Sequence, residues 1–220
     1  MTKILIATPA YGGNVCAGYT ESLLYTCILL SQQNIQFEVK FINNQIVTRA
    51  RNMLAYNFMN DETFTHMLFI DADIVWSPQH VLMLLGHNLD CCIGIYPNKH
   101  YVWNNDKLGL NPSSVIDKTS CYEIPNEHLI KIEKAATGFM LLKKAALKSI
   151  ENDIEKFILP SSKGDAELYN YFDCNVVDND YLTEDYYFSY LYKKNGGEIY
   201  ADKRIKLLHI GNHEYGSLIN

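Results

Sequence analysis

Asp71 and Asp73 stand one residue apart at the end of the apolar run Met67-Leu68-Phe69-Ile70, with Ser77-Pro78 shortly after them. Four consecutive apolar residues predict a strand buried on both faces. Ser77 suits a helix N-cap and Pro78 the first helical position. Strand, acidic tip and helix in that order set both carboxylates at the carboxyl end of a sheet strand, where open α/β sheets bind ligands. Carboxylates are hard oxygen donors, suited to Mg²⁺ or Mn²⁺ carrying substrate phosphates. The chemistry expected here is a metal that holds a nucleotide diphosphate. The plainer alternative is a turn, because Asp is common in turns and near helix starts.

Three further groups carry polar chemistry. Thr183-Glu184-Asp185 opens a helical stretch, where acids complement the helix dipole and cap free N–H groups. A helix N-terminus also predicts an Asp185 that stays ionised and is the weaker base for it. His209 follows an apolar strand and precedes Ile210-Gly211. A lone histidine there is either a ligand or a core residue. His213, four residues on, does not make a zinc pair: that spacing serves zinc on a helix, and Gly211 argues against one. Arg49 and Asn52, with Arg51 between them, fall on a predicted helix just before the acidic strand. They suit phosphate or base contact, or simply a solvated helix face.

The elements that must position these residues follow from composition and pattern. The chain of 220 residues is 48% hydrophobic and 20% charged, which describes one globular domain. A net charge of −6 argues against nucleic acid as the main partner. None of the six cysteines forms a Cys-x-x-Cys pair, a pattern of reducing compartments. No leader of signal type is recognisable, and no apolar stretch reaches the roughly 18 residues that span a membrane. The expected location is cytoplasmic.

Residues 3–7 read as a central strand that breaks into a loop over 8–13. Thr20 suits the cap of a helix with Leu23, Leu24, Cys27 and Ile28 on one face. Residues 36–41 alternate as a strand with one wet face. Over 46–60 a helix is predicted, with Val47, Ala50, Leu54 and Phe58 in its apolar stripe. After the acidic strand, 91–96 is another buried strand. Residues 97–127 look irregular, long enough to be functional. Residues 129–133 and 140–142 read as strands and 143–152 as a helix. Residues 160–182 are polar, Tyr-rich and loop-like. A helix over 183–195 is closed by Gly196-Gly197, and short strands follow at 198–200 and 205–208. This is the rhythm of an α/β, Rossmann-like, mostly parallel sheet flanked by helices, with a small second sheet near the C-terminus.

The ordered set Thr8-Pro9-Ala10-Tyr11, Asp71-Ala72-Asp73, Ala136-Thr137-Gly138-Phe139, Thr183-Glu184-Asp185 and His209-Ile210-Gly211 resembles the GT-A glycosyltransferases, particularly the inverting family-2-like enzymes. The resemblance runs over nearly the whole chain. It implies a single GT-A domain, with a nucleotide-binding half over 1–95 and an acceptor-side half over 96–220. It implies an enzyme that moves one sugar from a nucleotide diphosphate donor, UDP-linked, to a hydroxyl of a glycan, glycoprotein or other acceptor. Asp73 is then the ligand of Mn²⁺ or Mg²⁺, with His209 completing the shell and Asp71 facing the ribose or a metal-bound water. Thr8, Pro9, Ala10 and Tyr11 flank the base, Arg49 and Asn52 contact the nucleotide, and Ala72 and Gly138 line the donor. Asp185 is the base that takes the acceptor proton, beside Glu184. Tyr96, Lys99 and Trp103 open the long loop on the acceptor side. Processive synthases carry a Gln-x-x-Arg-Trp motif and membrane spans, and neither is recognisable here, so single-sugar addition is expected.

Two other classes compete. A sugar-1-phosphate nucleotidyltransferase wants a glycine-rich, basic loop after the first strand, and Thr8 to Gly13 holds no basic residue. A non-catalytic nucleotide-sugar-binding module has no need of Asp73, Asp185 and His209 together.

Overall fold

A computed structural model describes residues 2–104, 107–117, 126–160, 164–211 and 214–216, leaving aside the side chains of 102–104, 107, 108, 214 and 215. Next to one edge of the main sheet, and not at its centre as expected, β1 (Lys3–Ala10) lies between two parallel neighbours, β2 (Gln36–Asn43) and β3 (His66–Ile70). Helices α1 (Ala17–Gln32) and α2 (Val47–Asn60) make the crossovers. The acidic turn leads into β4 (Ile74–Val75) and α3 (Pro78–His87), with Ser77 and Pro78 placed as expected. Then come β5 (Cys91–Ile93), β6 (Pro97–Asn104), β7 (Lys107–Pro112), β8 (Val115–Ile116), β9 (Leu129–Lys134), β10 (Phe139–Lys143) and α4 (Lys144–Lys148). The chain continues through β11 (Lys156–Leu159), β12 (Ala166–Tyr169), β13 (Asn175–Val177), β14 (Asp180–Leu182), α5 (Glu184–Lys194), β15 (Ile199–Asp202), β16 (Leu208–Ile210) and β17 (Glu214–Gly216).

The main sheet has the order β2-β1-β3-β10-β5-β15-β9-β8. Strands β2, β1, β3, β5, β15 and β8 run one way, while β10 and β9 run against them. The sheet is therefore mixed: most strands share a direction, yet four of the seven pairings are antiparallel. Hydrophobic runs mark buried strands but carry no direction, so the sequence did not distinguish β10 from its neighbours. The small second sheet near the C-terminus is present, in the order β17-β16-β4.

Side chains alternate between two apolar layers. Leu5, Met67, Phe69 and Met140 face α2, α4 and α5 with Phe58, Leu147 and Phe188. Ile4, Ile6, Leu68 and Ile70 face α1 and α3 with Tyr19, Trp76 and Leu84. No described helix is long and apolar enough to cross a membrane.

Several local expectations fail for identifiable reasons. Residues 8–10 continue β1 instead of looping, because β2 extends alongside to pair Ala10 with Asn43. Pro9 is tolerated because the β3 ladder stops at Ala7, so β1 is bordered there by β2 alone. Helix α1 is capped by the Cys16 sulfur, which accepts from the Tyr19 N–H, not by Thr20. Its buried face is Tyr19, Ser22, Thr26 and Leu30, while Leu24 and Ile28 are exposed. The hydroxyls are buried for a reason: Trp76 donates its backbone N–H to Ser22 Oγ and its indole N–H to Thr26 Oγ1. Val47 lies outside the stripe of α2, 41% exposed.

The stretch expected to be irregular over 97–127 contains the β6–β7 hairpin and β8. The stretch expected to loop over 160–182 contains parts of two hairpins, β11–β12 and β13–β14. Such ribbons are polar and exposed, so they lack a buried-strand signal. One local signal was available: Asp178 and Asn179 both have positive φ, the conformation of a two-residue hairpin turn.

Candidate active site

Strand β3 ends at Ile70, and the acidic turn is fixed by backbone bonds. Asp71 N–H donates to Gly138 O at 3.0 Å, and Ile74 N–H donates to Asp71 O at 3.1 Å. Cys16 N–H donates to Ala72 O, tying the start of α1 to the same turn. The second sheet then brings in the C-terminal strand: Ile210 N–H donates to Asp73 O at 2.8 Å. His209 follows, with Nε2 3.5 Å from Asp73 Oδ1. Its Nδ1 lies 2.8 Å from Pro97 O. A carbonyl only accepts, so Nδ1 carries a proton, and Nε2 is the nitrogen turned toward Asp73. Tyr96 packs edge-on against the ring at 5.0 Å. Lys99 Nζ pairs with Asp73 Oδ2. Burial pushes the Asp73 carboxyl up, but His209 and Lys99 outweigh it and hold it below the usual range.

Behind the turn lies Arg51, 3% exposed. Its Nη2 donates to Asp71 Oδ1 at 2.9 Å and its Nε to Glu184 Oε1 at 3.3 Å. Burial works against its charge, but Asp71 and Glu184 hold it ionised. Arg51 Nη1 has no partner among the described residues. Arg51, not Arg49, is the arginine of the site. Arg49 is exposed, and Asn52 is occupied elsewhere, donating to Asn170 and to Phe172 O and accepting from Phe172 N–H. The spacing of Arg49 and Asn52 indicated a shared face correctly; which face met the carboxylates was a tertiary matter.

Asp185 sits in the first turn of α5. Its Oδ1 accepts from the Thr183 hydroxyl and from Tyr186 N–H, and Oδ2 has no partner among the described residues. Burial and the neighbouring Glu184 raise its pKa against the pull of Thr183 and Arg51. This overturns the expectation of a depressed value: desolvation beats the helix terminus here. The raised value makes Asp185 the stronger base. Glu184 is buried and engaged with Arg51.

Tyr96 is buried, not an exposed ring on the acceptor side. Its hydroxyl accepts from Gly138 N–H at 3.1 Å. Burial, then Asp71 and Asp185, push the phenol well above its ordinary value, so it stays neutral. A Cβ on Gly138 would fall 2.3 Å from the Tyr96 hydroxyl and 2.9 Å from Asp71 Oδ2, so only glycine permits this approach. Lys99, expected on the acceptor side, is on Asp73. The Trp103 side chain and His213 lie outside the described residues.

A cavity of about 550 Å³ opens over the turn. Its floor is Arg51, Asp71, Ala72, Asp73 and His209, and its walls include Pro9, Tyr11, Gln45 and Val47. Tyr11 stands at the rim, 81% exposed. That size suits a small-molecule ligand. Thr8 and Ala10 are buried and do not line it; the Thr8 hydroxyl pairs with the Tyr19 hydroxyl at 2.5 Å. Cys16, Gln45 and Val47 line it without any sequence signal to mark them, since their roles depend on loop placement.

Among the described residues no three His, Cys, Asp or Glu side chains cluster as a metal site. Asp71, expected to share the metal, is turned to Arg51. The donor set is Asp73 with His209, one carboxylate and one oriented imidazole. Two protein donors, with phosphate and water in the other positions, fit Mg²⁺ or Mn²⁺ on a phosphorylated substrate.

The fold and site define an α/β protein with an acid-tipped buried strand facing a cavity with charged groups at its floor. Neither a family model nor a curated protein matches the chain. A solved structure described as the crystal structure of A197 from STIV is similar, with a TM-score of 0.50 at 18% identity over 96% of this chain and 86% of that chain. A likeness at that identity speaks for a shared fold alone.

Proposed function

We propose that the chain is a metal-dependent glycosyltransferase of GT-A type that moves one sugar from a nucleotide diphosphate, UDP in our reading, to an acceptor hydroxyl with inversion. The observation that carries the proposal is the Arg51 bridge. One buried guanidinium joins Asp71 at the strand tip to Glu184, the residue beside Asp185. Donor-side and acceptor-side groups are thereby held in one rigid frame.

In this reading the cavity over Asp73 takes the diphosphate, with Pro9 and Tyr11 beside the base. Asp73 and His209 would hold a divalent cation, which would supply positive charge opposite the diphosphate. Asp185 accepts the proton of the acceptor hydroxyl as that oxygen bonds to the anomeric carbon and the bond from that carbon to the diphosphate oxygen breaks. Attack from the face opposite the leaving group inverts the centre.

The test is incubation with a panel of nucleotide sugars and Mn²⁺. Release of nucleoside diphosphate, abolished by EDTA, is expected. Release of pyrophosphate from a nucleoside triphosphate and a sugar phosphate would instead mark a nucleotidyltransferase, and binding without turnover would mark a carrier.

A further inference from the structure

Lys99 reaches Asp73 from β6, the strand whose first residue, Pro97, accepts the proton of His209. Its ammonium sits on Asp73 Oδ2, while His209 Nε2 faces Oδ1. One carboxylate therefore serves two cation positions at once. It is the anion of an ion pair and half of the two-donor metal set. A divalent cation on Asp73 stands beside a full ammonium charge, and like charges at that range repel. Two protein donors gain little against that repulsion. A diphosphate changes the balance, because its negative charges attract both cations and its oxygens supply the missing ligands. The lysine stem is flexible and partly exposed, so its ammonium can follow the phosphate while the metal takes Asp73.

We infer that Lys99 makes divalent-metal binding and diphosphate binding mutually dependent, so that metal enters this site together with the nucleotide. The inference rests on the metal-diphosphate reading above and adds the residue that couples the two ligands. The coupling is reciprocal: metal strengthens the nucleotide by the factor that the nucleotide strengthens metal.

The experiment measures free Mn²⁺ by electron paramagnetic resonance, titrating the intact protein with and without UDP. The wild type is expected to bind Mn²⁺ weakly alone and at least about tenfold more tightly with UDP. Lys99→Met should bind Mn²⁺ alone about tenfold more tightly than the wild type, so that the gain from UDP shrinks. Lys99→Arg keeps the charge and should keep the coupling. Both variants should fold, since a partly exposed ion pair contributes little stability, and a thermal melt checks this. Unchanged Mn²⁺ affinity in Lys99→Met overturns the inference. So does a Lys99→Met protein that loses UDP affinity while the coupling persists, which would make Lys99 a plain phosphate contact. A wild type that binds no Mn²⁺ even with UDP would overturn the metal reading itself and the inference with it, an outcome distinct from the other two.

Discussion

Arg51 Nη2 lies 2.9 Å from Asp71 Oδ1, with the guanidinium buried and Asp71 partly exposed at the floor of the cavity. A guanidinium in that position must be paired, because an isolated buried charge is very costly. It also orients Asp71, leaving Asp73 as the carboxylate that faces His209.

Arg51→Lys should show how much rests on the fork. An ammonium cannot reproduce two directed bonds to Asp71 and Glu184. The variant should lose about 3 kcal/mol of stability, as partly broken buried pairs do, and bind nucleotide sugar more weakly. Unchanged melting and unchanged affinity would show that the bridge is idle.

Asp73→Ala should abolish Mn²⁺-supported donor binding while the fold survives, since Asp73 is partly exposed at the turn. His209→Ala should raise the Mn²⁺ concentration needed for binding by at least about tenfold, with a smaller change in melting temperature. A histidine that serves only packing would give the reverse: lower melting and unaltered metal titration.

Asp185→Asn should lower kcat by about 10²–10⁴-fold and leave donor affinity near the wild-type value. The base must be ionised, so kcat rises with pH through the Asp185 pKa, which lies above an ordinary aspartate's. Thr183→Val removes a hydrogen bond that favours the ionised form, so the acid limb should move to higher pH. Glu184→Gln removes the neighbouring charge that raises Asp185, so its limb should move to lower pH, with weaker folding because Arg51 loses a partner. Limbs that stay in place in both variants, or a product that keeps the donor's anomeric configuration, would take the base role from Asp185.

Away from the cavity, Asp202 is buried against His87 at 2.8 Å and against Arg204 at 2.6 Å. Burial alone would raise its pKa, but Arg204 and His87 hold it well below the ordinary range. A depressed carboxylate contributes stability above its unfolded pKa of about 4, and that stability is lost as pH falls toward the folded value. Asp202→Asn should therefore cost about 3 kcal/mol at pH 7. The gap between variant and wild type should narrow from about pH 5 downward. A gap that does not change with pH would mean that packing, not charge, sets the loss.

The acidic strand tip, the Ser77-Pro78 helix start, the helix start at Thr183 and the buried strands were legible in the sequence because each rests on local physics, although the Thr183 hydroxyl donates to Asp185 and makes no capping bond. A buried run needs apolar residues, and a helix start needs a cap. Those signals sufficed to place Asp71, Asp73 and Asp185 at element ends. Direction and partnership were not legible. Nothing local makes β10 run against β3 and β5, buries Ser22 and Thr26 under Trp76, or selects Arg51 over Arg49. Those outcomes depend on which side chains meet across the sheet, and a charge is buried only where opposite charges from distant segments converge on it. For the same reason Lys99 and Tyr96 changed place. The sequence put Tyr96 at the end of a strand and Lys99 in the loop after it, while β16 and the Pro97 carbonyl drew that segment onto His209 and Asp73.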